Sequence, residues 1–218
     1  MNLGSWVRGV AAAVVFGAVA ASAGAQGFSS FVVFGDSLSD AGNNALLIGT
    51  DPTQVVTGNT YIPFRPYAYG TYSDGPVWAS FVGAALGLPA QPSLAGGTDY
   101  AFGGATTGGV GVPPSLRRQV SMALDSGGAD PNALYVIAGG GNDALDALDA
   151  VTGGAPAGRT LRSTARRFAY GVGAMVDELQ DAGARHILVW DTPDVSLTPA
   201  VQAGGSAAMW AAKGHKVK

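Results

Sequence analysis

Four short apolar runs constrain the fold of this chain more than any other feature: SFVVF (30–34), DYAF (99–102), ALYVIA (133–138) and HILVW (186–190). Each is too short for a helix and is closed by Gly or Asp, as fully buried strands are. The segments between them carry helical spacing instead. Val77, Trp78, Phe81, Val82, Ala85 and Leu86 mark one helix, opened at Ser73-Asp74-Gly75-Pro76 by an Asx or Ser cap and closed by Gly87. Leu116, Val120 and Leu124 mark a second, and DALDALDAV after GGGND a third. Phe168, Val172, Met175, Val176 and Leu179 share a face of a longer helix over residues 160–181, stopped by Gly183, and DTPDVSLTP leads to a last helix. Strands alternating with helices imply a parallel sheet covered on both faces, a three-layer α/β/α sandwich. In such sheets functional groups gather at the carboxyl ends of the strands.

The length of 218 residues suits one domain with a sizeable core, and a hydrophobic fraction of 47% excludes a disordered chain despite 34 Gly and 12 Pro. The N-terminus reads as a separate unit. Arg8 precedes an apolar run over residues 10–21, and Ala23-Gly24-Ala25 fits an A-x-A cleavage site, so residues 1–25 are expected to be an export signal with Gln26 as the first mature residue. That run is too short and too rich in Gly and Ala for a stable membrane span. A secreted or periplasmic location follows as the expectation. The absence of cysteine removes disulfides and thiolate metal sites. With Lys+Arg 12 against Asp+Glu 15, and Arg8 leaving with the signal, the chain has no basic arm with which to bind nucleic acid. Arg162, Arg166 and Arg167 stand at helical spacing, as a solvated helix face does.

Three of the four runs end in Gly followed by Ser, Thr or Asn: GDS, GGATT and GGND. A serine that attacks an ester needs a base for its proton and donors for the oxyanion. Ser37 follows a buried strand at the expected start of a helix, where its own N–H is free to face a ligand. Gly104 can offer an N–H without an obstructing side chain, and Asn142 an amide N–H from a third strand end. Taken singly, these residues are ordinary turn and cap residues. Their order, each at a strand terminus, is what points to a nucleophile with three oxyanion donors and no cofactor. Asp143, Asp146 and Asp149 recur every third residue, which suits a helix dipole better than a metal site. The GGGND turn lacks both G-x-G-x-x-G and a following Lys-Ser/Thr, which weighs against a nucleotide-binding domain. The aromatic and Pro-rich segment 57–78 is expected to wall the pocket on the substrate side.

FVVFGDSLSDAGN resembles the first signature block of the GDSL, or SGNH, family of esterases and lipases; DYAFGGATT resembles the second and GGND the third. The resemblance covers residues 28–200, with Asp99 where the family usually has Asn. It implies a flavodoxin-like parallel sheet and an acyl-enzyme on Ser37, with the oxyanion held by the N–H groups of Ser37 and Gly104 and the Asn142 amide. A small ester or lipid is the substrate class it implies.

The family's fourth block, D-x-x-H, supplies the base, and neither histidine here fits it. His186 opens the HILVW run at the amino end of a parallel strand, and His215 has Ala rather than Asp three residues before it. The family's last strand and helix also have no counterpart before the D-x-x-H position. All three Lys (213, 216 and 218) fall in the last six residues, after a stretch that uses only Arg. The expectation is an incomplete hydrolase domain over residues 26–200 with an atypical tail over 201–218, its reading frame altered shortly after Val201. The alternative expectation is an impaired or inactive remnant that at most binds a ligand, with HILVW left as an apolar sheet edge.

Overall fold

A computed structural model describes residues 27–53, 64–125 and 127–203. The expected signal at 1–25, the first part of the aromatic segment and most of the tail, His215 included, lie outside the described residues. Three strands form a parallel sheet in the order β1 (Phe31–Gly35), β2 (Leu134–Ala138), β3 (His186–Val189). Phe31 is in register with Leu134 and Leu134 with His186, so the three strands start level. DYAF is not a strand of its own. It flanks the free side of β1, bonded through Val33 N to Thr98 O (3.1 Å), Tyr100 N to Val33 O (2.8 Å) and Phe102 N to Gly35 O (3.2 Å). Among the described residues Asp99 makes isolated bridges there, to Val33 and Pro92, and the chain turns at Gly103-Gly104 after the Phe102 bond.

Helices cover both faces. On one, Val32, Phe34, Tyr135 and Ile137 pack against α3 (Leu116–Asp125) and α5 (Ala157–Asp181) through Leu116, Val120, Met175 and Leu179. On the other, Phe31, Val33, Val136 and Ala138 meet Val77 and Ala79 at the start of α2 (Trp78–Leu86). Each fully buried Phe, Ile, Leu or Met contributes about 1.5–3 kcal/mol relative to exposure. A third cluster joins Ala144 and Leu148 of α4 (Gly141–Thr152) to Val195 and to Val201 of α6 (Pro199–Ala203). The long predicted helix is present and begins three residues early. α4 begins at Gly141, so only Asp143 of the three acids lies in its first turn.

α2 departs from expectation in two ways. It begins at Trp78 with no side-chain cap, and its apolar residues Phe81, Val82 and Leu86 face solvent. The face that packs is Ala79 and Gly83. A Cβ on Gly83 would stand 2.6 Å from Leu88 O and 3.4 Å from the Phe31 ring. Close backbone approach, which hydropathy does not record, selected the face. Among the described residues β3 lies at the edge of the sheet; its Leu188 and Val189 and the following Trp190 are each about two-fifths exposed, and the Trp190 ring lies 4.2 Å from that of Trp78, tilted by 32°. Among the described residues no helix is long and apolar enough to cross a membrane.

Candidate active site

The three residues singled out by the sequence lie at the carboxyl ends of β1 and β2 and in the loop after DYAF. β1 stops at Gly35 and the chain turns through Asp36–Ser39 before α1 (Asn43–Ile48), so Ser37 sits in a turn rather than at the helix start that the sequence suggested. The turn is fixed from within. Asp36 O accepts from Ser39 N and Asp40 N at 3.0 Å each, and Asp36 Oδ1 accepts from Leu38 N at 3.1 Å. These bonds bypass Ser37, whose own N–H meets no acceptor among the described residues.

Asp40, fully buried, ties this turn to the loop after DYAF. Its Oδ1 accepts from Gly42 N (2.9 Å) and Asn43 N (2.6 Å), and its Oδ2 from Gly103 N (2.9 Å) and Asn44 N (3.2 Å). Asn43 donates to Asp99 O and Ala101 O at 2.8 and 2.9 Å. Asn44 donates to Tyr72 Oη at 2.7 Å and Gly103 O at 2.9 Å. The loop is thereby clamped with Gly104 presented beside Ser37. Gly104 has φ +83°, left-handed backbone that favours glycine, and its N–H likewise meets no acceptor among the described residues. Gly103 next to it has no room for a Cβ, which would overlap the Tyr72 ring.

Asn142, in the first turn of α4, donates through Nδ2 to Ala105 O at 2.8 Å. Asp143 beside it accepts from Thr107 N and Oγ1 at 2.8 and 2.9 Å. Ser37, Gly104 and Asn142 line a single pocket of about 440 Å³, walled by Leu38, Leu47, Phe64, Tyr67, Tyr72, Val112 and Pro113. The described part of the aromatic segment thus forms part of the wall, as its composition suggested.

Burial shapes the acids around the serine. Asp36 is pushed up to about 6, first by desolvation and then by the charge of Asp143, with the Leu38 N–H working the other way. Burial also raises Asp40, against the pull of its four backbone N–H donors. Asp99 is raised well above the carboxylate range by desolvation, reinforced by Asp40 and opposed by the N–H groups of Ala101 and Ala41. No cluster of metal-ligating side chains occurs among the described residues.

His186 is exposed and packs edge-on against Phe28 at 5.4 Å. It is level with Phe31, at the start of the sheet, and β1 runs four more residues before the Ser37 turn. At about 3.3 Å per residue that is roughly 13 Å along the strand, so His186 is not placed with the serine. The clamps formed by Asp40, Asn43, Asn44 and Gln119 were not read from the sequence. For Asp40, Asn43 and Asn44 the local signal was the polar residues of the Ser39–Asn44 stretch; Gln119, on α3, had none.

Fold and site together define an α/β protein of the SGNH-hydrolase kind, with serine, glycine and asparagine converging at strand ends. The chain belongs to the GDSL-like lipase/acylhydrolase family, whose model matches residues 31–216. It is 31% identical over 207 residues to lipase 1 of Photorhabdus luminescens, covering 91% of this chain and 28% of that protein. It is 34% identical over 207 residues to esterase EstA of Pseudomonas aeruginosa, covering 81% and 30% respectively. An uncharacterized protein from the trpE-trpG intergenic region of Pseudomonas putida is 33% identical over 196 residues, covering 79% and 30%. The chain spans less than a third of the length of these relatives.

Proposed function

We propose that this chain is a serine hydrolase of carboxylic esters that works through an acyl-enzyme on Ser37. The observation that carries the reading is the convergence of Ser37, Gly104 and Asn142 on one pocket, with both backbone N–H groups lacking acceptors among the described residues. Ser37 Oγ attacks the ester carbonyl carbon, and the carbonyl oxygen takes up negative charge. The N–H groups of Ser37 and Gly104 and the second N–H of Asn142 Nδ2 receive that charge. Such donors act strongly because they are aimed before the charge develops. Collapse breaks the bond to the alcohol oxygen, which takes up the proton given up by Ser37 and leaves as the alcohol; water then attacks the acyl group, its hydroxyl going to the acid and its proton back to Ser37.

The relatives named lipase and esterase support an ester as substrate, and the apolar wall supports one with a hydrophobic acyl or alcohol part. The proton acceptor is not assigned to a described residue. The leader at residues 1–25 supports export to the periplasm or beyond, which N-terminal sequencing of the exported protein would test by a start at Gln26.

The test is hydrolysis of a short-chain chromogenic ester by the chain and by Ser37→Ala, together with fluorophosphonate labelling read by intact mass. Hydrolysis that drops in Ser37→Ala to the residual set by binding and the oxyanion donors, with one label placed on Ser37, is the expected result. Equal rates in the two proteins overturn it. The position of His186 favours one second reading, a domain that binds esters with little turnover. Under it, an ester raises the melting temperature while both proteins hydrolyse at the same background rate.

A further inference from the structure

Four side chains that line the Ser37 pocket are also strongly exposed: Leu38 (61%), Leu47 (47%), Phe64 (79%) and Val112 (80%). They come from three separate stretches of chain, namely the turn after β1 with α1, the segment after residue 63, and the loop before α3. The pocket therefore opens through an apolar rim rather than the polar one usual for a soluble protein's surface. The rim is almost free of charge. From Ser37 to Thr50 the only charged residue is the buried Asp40, from Gly103 to Leu116 there is none, and from Phe64 to Tyr72 there is only Arg65.

Resting on the ester-hydrolase reading above, we propose that this rim is a docking surface for a neutral lipid–water interface. Leu38, Leu47, Phe64 and Val112 enter the acyl layer while an ester from that layer reaches Ser37. A small dissolved ester would be held by the pocket alone and would leave the rim in water. An aggregated ester covers rim and pocket in one event, because the same side chains belong to both. The scarcity of charge selects the partner further: there is no basic cluster here to seek anionic headgroups, so affinity comes from apolar burial. A second copy of the chain seated on the rim would close the pocket over Ser37, which makes a substrate-bearing surface the better occupant.

The test separates docking from catalysis by using Ser37→Ala throughout and reading binding rather than turnover. Co-sedimentation with phosphatidylcholine vesicles and with a triacylglycerol emulsion is compared for Ser37→Ala alone and with Phe64→Ser or Val112→Asp added. Each added change should lower the partition coefficient about tenfold, the effect expected when one large apolar side chain no longer enters the acyl layer. Matched thermal melts establish that the variants are folded, and Leu38→Ser replaces any that is not. Vesicles with added phosphatidylserine should bind no more tightly. Partition that is unchanged by the substitutions, or that requires the anionic lipid, overturns the proposal. So does a dimer in size-exclusion chromatography that the same substitutions dissociate. Loss of soluble-ester hydrolysis in wild type would refute the enzymatic reading alone, since binding is measured independently of it.

Discussion

Asn142 Nδ2 donates to the carbonyl of Ala105, the residue directly after Gly104. One turn therefore both presents the Gly104 N–H and holds the amide of Asn142, although 37 residues separate the two bonded residues. The bond uses one of the two amide N–H groups and fixes the plane of the other.

Asn142→Ala removes that donor and leaves the Ala105 carbonyl without its partner. Under the proposed mechanism, loss of one oxyanion donor costs about 10²–10³ in kcat, whereas substrate binding by the apolar wall changes little. Steady-state kinetics on a soluble ester should show the fall in kcat with KM nearly constant. A change confined to KM would mean that Asn142 contacts the substrate elsewhere than at the developing oxyanion.

Gln119 is the hidden support of the turn that carries Ser37. Fully buried on α3, it accepts from Gly35 N at 2.8 Å and donates to Gly35 O at 2.9 Å and Pro114 O at 3.1 Å. Gln119→Leu keeps the volume and strands the buried Gly35 N–H, so a loss of about 2–4 kcal/mol is expected from the unsatisfied groups. Urea unfolding would show the lowered midpoint. A midpoint equal to that of wild type would show that Gly35 finds other partners.

What the sequence made legible, and what it hid, follows from range. Ser37, Gly104 and Asn142, which line one pocket, could be singled out because each follows an apolar run, so a local pattern marks its position after an extended segment. The groups that hold them could not be found in this way. Asp40 reaches Gly103 across 63 residues and Gln119 reaches Gly35 across 84. A side chain bonded to distant backbone leaves no periodicity. The same limit explains α2, where helical spacing identified the helix and then chose Phe81 as core, although Gly83 lies against Phe31. DYAF reads as a strand and is an extended segment bonded to β1 as far as Phe102, with Asn43 and Asp40 holding its Asp99 carbonyl and the Gly103 N–H after it.

Asp36 should make stability fall with rising pH. Its folded value of about 6 exceeds its ordinary value of 3.8, so between these values the folded chain binds more protons than the unfolded one. The sign is then fixed: the stabilisation is complete below pH 3.8 and is lost as pH rises through about 6. The shift corresponds to a difference on the order of 3 kcal/mol. Asp36→Asn, which keeps an acceptor for Leu38 N, should gain on wild type by that order between pH 4 and pH 8 in urea unfolding. Parallel curves for the two proteins would remove Asp36 as the cause.

Asp99 adds to the same trend by a different route. Its carboxyl is fully buried, accepts from Ala101 N at 2.8 Å and Ala41 N at 3.2 Å, and faces the charge of Asp40. Its pKa is raised, so its contribution too is intact below the ordinary carboxylate value and is lost as pH rises above it. Asp99→Asn supplies the uncharged form at every pH. It can keep the shorter bond from Ala101 while giving up the longer one from Ala41. The expected result is a melting temperature above wild type by a margin that grows as pH rises from the ordinary carboxylate value, with the advantage shrinking toward acid. Asp40→Asn is the informative contrast, because its carboxylate accepts four backbone N–H bonds and an amide cannot replace them all. That variant should be destabilised at every pH. If Asp99→Asn instead lowers the melting temperature at alkaline pH, the bond from Ala41 outweighs the relief of a buried charge.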